Sequence, residues 1–399
     1  MAVAYSHDLK AADKNIAVSL ELEKAAQKDL YPKLTGEANF QYVGNPYQLT
    51  LDLPSMASPV TFVGKDLKYG ASLSLVQPIY TGGRLLETIR IAKYRHNASS
   101  YQEEYIRTGI YLQTDLQYWN TVARTEIARI MDDYRHSIAS LTQTICERVE
   151  AGLTDPQDLL MLEVKGNEAE YQYLQAVESQ ENGLMALNSL IGVELQTPTE
   201  VDDSVAIVIV DDLSLWSDNG AATPELKIAE EQVKITQSEK KLTSAKYLPQ
   251  FYVGVDGSYS SPGYNFRSDL DPNYAVFAKV SVPLFEWGKR KNEKRASALK
   301  VDMATNQLNW VSDNVELEIQ TARNSLRKAM EQVNLTANSL DKARKNESLA
   351  LERYDEGKSS IIEVIDAQTY RQMAQLNYVQ AKVAAQNQYT KLLKALNRY

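Results

Sequence analysis

Val76-Gln77-Pro78-Ile79-Tyr80-Thr81-Gly82-Gly83-Arg84 opens, and Glu147-Arg148-Val149-Glu150-Ala151-Gly152 closes, the stretch that decides the fold. Between them the chain has no Pro and only Gly109 as an interior glycine. Proline and glycine are the residues that break helices, so their absence predicts one uninterrupted helix. At about 1.5 Å per residue, some 65 residues span roughly 100 Å, several times the diameter of an ordinary domain. Such a helix belongs to an elongated unit, not to a globular core.

Ahead of it, residues from about 8 to 30 place Leu9, Ala12, Ile16, Leu20, Leu22 and Ala26 at helical spacing and stop before Pro32. Lys33-Leu34-Thr35-Gly36-Glu37-Ala38-Asn39-Phe40-Gln41-Tyr42 then alternates polar with apolar or small residues, as a two-faced strand does. A loop rich in Pro and Gly (Gly44, Pro46, Pro54, Pro59, Gly64) leads to a second alternating run, Leu67 to Leu75. The two runs predict one hairpin over about 33–76. Behind the long helix, Gly152-Leu153-Thr154-Asp155-Pro156 turns the chain into a returning helix of about 156–191, with Pro156 suited to its first turn. Residues 193–223 break the pattern with a short β-like run, Val205 to Val210, and turn residues around Ser217-Asp218-Asn219-Gly220.

The rest repeats this plan. A helix over 224–246 leads to Pro249, the strand Phe251 to Tyr259, a loop around Pro262, Gly263 and Pro272, and a strand with Tyr274, Val276, Ala278, Val280 and Val282 on one face. Val282-Pro283-Leu284-Phe285-Glu286-Trp287-Gly288-Lys289 then matches the first strand–helix junction. Pro78 to Pro283 is an offset of 205, as are Gly83 to Gly288, Glu147-Arg148 to Glu352-Arg353 and Gly152 to Gly357. The expected organisation is a first repeat (1–192), an insertion (193–223) and a second repeat (224–399), the latter with a hairpin at about 250–283, a long helix at about 288–355 and a returning helix at about 360–396. Loops absorb length changes readily. Two long helices held to one length therefore share a geometric constraint: they span the same distance side by side.

Composition limits what such helices serve. Lys and Arg number 43 against 52 Asp and Glu, a net charge of −9, so no basic field draws nucleic acid. Mean hydropathy of −0.39 is too polar for a polytopic helical membrane protein. The longest apolar run, Val205 to Val210, falls far short of the ~18–20 residues of a spanning helix, which leaves a β-barrel open. The polar start Tyr5-Ser6-His7-Asp8-Leu9-Lys10 lacks a secretory leader, as expected of a cytoplasmic chain or of a processed one. Catalysis has no support: His7, His96 and His136 are dispersed, Cys146 has no paired ligand, and there is no phosphate loop or nucleophile motif. No cofactor or metal is expected.

Within the long helices, Val301, Ala304, Leu308, Val311, Val315, Ile319, Ala322, Leu326, Val333 and Leu340 form one stripe and Ala98, Tyr101, Tyr105, Leu112, Leu116, Trp119 and Ala123 another, as in coiled coils. A soluble helical rod would satisfy the helices alone. The strands add a further demand, because two hairpins give four strands, too few to close a barrel. Left open, they would expose unpaired edges and the apolar face bearing Phe40, Tyr42, Tyr69, Leu73 and Leu75. Three chains would supply twelve strands around a polar lumen lined by Lys33, Thr35, Glu37, Asn39, Gln41, Ser72 and Ser74.

The duplicated order of helix, hairpin, long helix, glycine tip and returning helix resembles the TolC family of outer-membrane efflux proteins. Gln77-Pro78-Ile79-Tyr80-Thr81-Gly82-Gly83-Arg84 and Glu352-Arg353-Tyr354-Asp355-Glu356-Gly357-Lys358-Ser359-Ser360-Ile361-Ile362-Glu363-Val364-Ile365-Asp366-Ala367-Gln368 carry the likeness. It implies an α+β membrane protein whose homotrimer forms a 12-stranded outer-membrane β-barrel continuous with a long periplasmic α-helical barrel. It also implies a passive exit duct for small molecules or polypeptides, working with a periplasmic adaptor (membrane fusion protein) and an inner-membrane pump of RND, ABC or MFS type, among outer-membrane lipids. The competing class is a non-conducting coiled-coil protein that tethers envelope partners.

Three sets of residues follow from the resemblance. Glu363 and Asp366, three apart and on one helix face, are expected to ring the pore entrance, with Tyr354 holding the tip closed through inter-helix hydrogen bonds. Solvated first-turn acids favoured by the helix dipole are the alternative. Adaptor contact is expected at Arg148, Gly152, Leu153, Thr154, Arg353, Gly357, Lys358 and Ser359, although both glycines would also be needed for the turns alone. Pro78, Gly83, Pro283 and Gly288 mark the strand–helix junctions.

Overall fold

The computed structural model describes residues 1–52, 54, 58–210, 214–217, 222–263 and 269–399. In chain order the elements are α1 (Ala2–Tyr5), α2 (His7–Lys28), β1 (Lys33–Tyr42), β2 (Gln48–Leu51), β3 (Val60–Val63), β4 (Leu67–Tyr80), α3 (Arg84–Glu150), α4 (Pro156–Ile191), α5 (Ser214–Ser217), α6 (Pro224–Ala245), β5 (Gln250–Ser261), β6 (Asp271–Ser281), α7 (Lys289–Asp355) and α8 (Ile361–Ala395). Helices α3 and α7 are each 67 residues long. Local chemistry sets the ends of the returning helices. Asp155 accepts the Gln157 N–H at the start of α4, with Pro156 in its first turn, and Gly192 ends it with φ of 80°. Ser360 caps α8 by accepting the Glu363 N–H. Among the described residues no helix is long and apolar enough to cross a membrane.

The chain forms two compact units that cut across the sequence repeats. One comprises Ile16–Ser99 and Ala229–Leu308 and contains an antiparallel sheet of order β1-β4-β5-β6. Its register sorts the side chains by face. Leu34, Ala38, Phe40 and Tyr42 stand opposite Leu75, Ala71, Tyr69 and Leu67, and the same face continues through Val255 and Tyr259 to Val276 and Pro272. The other face pairs Thr35 with Ser74 and Asp256, and Glu37 with Ser72 and Ser258. On the apolar face Phe40, Tyr42, Leu73, Tyr274 and Val276 are exposed. Edge strands β1 and β6 have no further partner among the described residues. The β4–β5 register shifts between Pro78 and Tyr80, where proline has no N–H to give the ladder.

Two details of the sheet differ from the sequence reading. Part of the loop after β1 is a second hairpin, β2–β3, in which Leu49 faces Phe62 and the Thr50 and Thr61 hydroxyls meet at 3.1 Å. Pro272, assigned to a loop, lies within β6, where an edge position tolerates its missing donor.

The other unit comprises Met1–Asn15, Ser100–Ile228 and Asn309–Tyr399. Its core includes Ile319, Ala322, Leu326 and Val333 of α7 packed with Ala381, Ala385 and Leu392 of α8. The run Val205–Val210 is not a strand. Val205 packs on Val122, Ile130 and Val379, and Val208 on the α7–α8 cluster. Side chains satisfy its backbone instead of a ladder: the Val205 N–H donates to Glu126 Oε2 (2.8 Å), and Gln386 Nε2 donates to the Ala206 carbonyl (2.9 Å). Glu126 is itself paired with Lys382 at 2.8 Å, both buried. The turn residues Asp218, Asn219 and Gly220 lie outside the described residues.

Removing one partner leaves a buried charge alone, which typically costs about 3–5 kcal/mol. Lys382→Ala is therefore expected to destabilise the fold by that amount in chemical denaturation. The double change Glu126→Gln/Lys382→Met is expected to recover most of the loss.

Candidate pore tip

Helices α3 and α7 end in the same turn. Gly152 and Gly357 both have φ of 68°. The Gly152 N–H donates to Val149 O and the Leu153 N–H to Arg148 O, at 2.9 and 2.8 Å. Gly357 to Tyr354 and Lys358 to Arg353 repeat these distances 205 positions later. This is the 6→1, 5→2 pattern of a Schellman cap, whose left-handed position favours glycine. A Cβ at either glycine would meet nothing within 4 Å, so the backbone angle alone accounts for the residue within the chain.

Below the two caps, Leu141 and Ile145 of α3, Leu162 of α4 and Ile361, Val364 and Ile365 of α8 bury one another, with Tyr354 and Leu351 of α7 packed against them. Arg148 joins α3 to α7: its guanidinium lies 3.0 Å from Asp355 Oδ1 and 5.0 Å from the centre of the Tyr354 ring. Asp355 is largely exposed, so water screens this pair and it contributes at most about 1 kcal/mol. Tyr354 thus bridges helices through its ring. Its hydroxyl makes no intrachain hydrogen bond among the described residues, because the ring sits in an apolar cluster and under a cation.

Glu363 and Asp366 are exposed on one face of α8, while Val364, Ile365, Ala367 and Gln368 on the other are buried. Among the described residues no cation pairs with either carboxylate. The face continues with exposed Tyr370 and Met373, each seven residues beyond one of the acids. These two were missed by the sequence reading, although a seven-residue step along a superhelical face would have found them. The α4 positions offset by 205 differ. Asp158 accepts from Thr154 Oγ1 at 2.9 Å, and Lys165 pairs with Glu168 at 2.9 Å. Burial works against the Lys165 charge, but Glu168 and Tyr134 together outweigh it and hold the ammonium above its ordinary pKa. At the positions that match Glu363 and Asp366 the first repeat has Asp158 and the uncharged Met161, so the second repeat alone presents two carboxylates there.

The other tip residues are distributed around these caps. Leu153, Arg353 and Lys358 are exposed, Lys358 lies 2.7 Å from Glu356, and Ser359 Oγ donates to the Ala350 carbonyl at 3.3 Å. Burial and then the Glu150 carboxylate push the Cys146 thiol up, leaving it a poor nucleophile. In the sheet-containing unit, Gly83 and Gly288 turn their junctions with φ of 86° and 82°. Trp287 holds φ of 47° at the position matching Gly82, where a Cβ would come within 2.7 Å of the Ala245 carbonyl oxygen.

A sheet with one exposed apolar face, in a chain that also forms two helices of equal length, is found in solved outer-membrane channels. The Campylobacter jejuni CmeC outer membrane channel superposes with a TM-score of 0.78 at 18% identity, over 100% of this chain and 84% of that one. The Vibrio cholerae outer membrane protein VceC gives 0.81 at 15% identity, over 99% and 94%. The chain belongs to the outer membrane efflux protein family, whose sequence profile matches residues 1–193 and 217–398. It is accordingly a protein of the Gram-negative outer membrane that extends into the periplasm. The solvent efflux pump outer membrane protein SrpC of Pseudomonas putida is 22% identical over 99% of this chain and 83% of its own length.

Alanine at Gly152 or Gly357 is expected to cost about 1 kcal/mol each, the penalty of a left-handed non-glycine residue with no added clash. Urea titration of each variant and of the pair should give additive losses. A much larger loss would mean that another surface packs against the turn.

Proposed function

We propose that three copies of this chain assemble into a passive exit duct of a tripartite efflux or type I secretion system, carrying small molecules or polypeptides outward. The observation that supports it is the four-stranded sheet with two unpaired edges and one exposed apolar face. In hydrocarbon every backbone donor and acceptor needs a partner, so an open edge must close on another sheet. β1, β4, β5 and β6, with 10, 14, 12 and 11 residues, meet or exceed the ~9–11 that a tilted spanning strand needs. Two copies would give eight strands, a barrel filled by its own side chains, whereas twelve is the smallest multiple of four expected to leave a passage. Exposed Leu160, Val164, Tyr171 and Leu174 on α4, and Trp310 and Leu317 on α7, fall at coiled-coil spacing and would be covered by neighbouring copies. The helices would then form the periplasmic barrel beneath the strands.

In this assembly Glu363 and Asp366 ring the entrance. Six unpaired carboxylates near one axis repel one another and attract cations. Arg148 and Tyr354 hold the tip closed. Arg148, Gly152, Leu153, Thr154, Arg353, Gly357, Lys358 and Ser359 form the surface met by a periplasmic adaptor, which links the duct to an inner-membrane pump.

Detergent-purified protein is expected to run as a heat-resistant trimer and to give conductance steps in planar bilayers. Glu363→Ala/Asp366→Ala should lower cation selectivity and relieve block by multivalent cations about tenfold or more. Unchanged selectivity would reject the ring, and a monomer without conductance would favour the non-conducting tether.

A further inference from the structure

The first strand–helix junction carries a groove of about 600 Å³ that the duct reading leaves unused. Gly82 and Glu87 form one side of it, Lys240, Lys241 and Ser244 of α6 the other, and Leu248 adds an apolar wall. The groove sets two lysines against a carboxylate that Arg90 engages through one oxygen only. Glu87 is 8% exposed; its Oε1 receives Arg90 Nη1, while its enclosed Oε2 has no hydrogen-bond partner among the described residues. An orphaned carboxylate oxygen is costly unless a ligand or water satisfies it. Opposite it, Lys240 and Lys241 are exposed, and among the described residues neither pairs with a carboxylate, whereas Lys234 pairs with Glu231 and Lys246 with Glu293.

Position narrows the ligand. Gly82 follows two residues after the end of β4, the strand whose exposed face carries Leu67, Tyr69, Ala71, Leu73 and Leu75. The groove therefore opens where a hydrocarbon-facing strand stops, at the depth of lipid headgroups. We propose that it binds the headgroup of an amine-bearing phospholipid from the membrane leaflet. The phosphate lies between Lys240 and Lys241, the ammonium against Glu87, and the first acyl carbons along Leu248. Cationic side chains beside a membrane face are the usual receivers of lipid phosphate, and a buried carboxylate is the complement of a primary ammonium. This site rests on the membrane-facing sheet proposed above.

The test titrates the full-length protein in detergent with short-chain phosphatidylethanolamine, phosphatidylglycerol and inorganic phosphate, read by native mass spectrometry. Lys240→Ala/Lys241→Ala is expected to weaken both lipids roughly tenfold or more. Glu87→Gln should weaken phosphatidylethanolamine by about fivefold or more and leave phosphatidylglycerol within about twofold, since only the former offers an ammonium. A misfolded variant would lose both lipids, so the selective loss reports the contact itself. Wild type that binds no lipid, lysine variants that bind as well as wild type, or Glu87→Gln that weakens both lipids equally would each overturn the site. So would inorganic phosphate binding as tightly as the lipids. Wild type that forms channels in planar bilayers yet fails this titration refutes the site alone. Wild type that forms none refutes the membrane reading beneath it.

Discussion

Backbone hydrogen bonding in hydrocarbon is the constraint from which the rest of this protein follows. A sheet that turns Phe40, Leu73, Tyr274 and Val276 outward is unfavourable in water, and one whose β1 and β6 edges stay open is unfavourable in lipid. Both problems are solved together when sheets from several copies close on one another. The polar face through Thr35, Ser74 and Asp256 then becomes an interior. The duplication reads as an economical consequence, since each repeat supplies one hairpin to the sheet and one pair of long helices.

Charge is distributed unevenly between the two repeats, and that asymmetry gives the proposed tip its chemistry. The same Schellman cap ends α3 and α7, with the same φ and the same two hydrogen bonds. Past the cap the repeats part. Where α8 has Glu363 and Asp366 followed by exposed Tyr370 and Met373, α4 has Asp158 and Met161 followed by the Lys165–Glu168 ion pair. The proposed gate therefore belongs to the second repeat, and the first acts as its packing partner through Leu162 and Arg148.

Much of the local structure was legible from residue types. Long runs without Pro or Gly specify α3 and α7, strict alternation specifies β1 and β4, and Gly152, Gly192 and Gly357 mark helix ends because they carry positive φ. The misses share a cause. Val205–Val210 has the composition of a strand, but strand formation needs a partner edge, and here Glu126 and Gln386 take up the backbone groups while the valines fill gaps between helices. Pro272 has the look of a loop, but an edge strand does not require its donor.

The sequence alone determined the kinds and approximate lengths of the long helices and of the main strands, the repeat offset and the glycine caps, because these depend on short-range sterics and on periodicity within a few turns. Only the tertiary structure decided which groups remain unsatisfied. The free edges of the sheet, the unpaired carboxylates of α8 and the orphaned oxygen of Glu87 are defined by what does not reach them, and that depends on contacts between residues far apart in the chain.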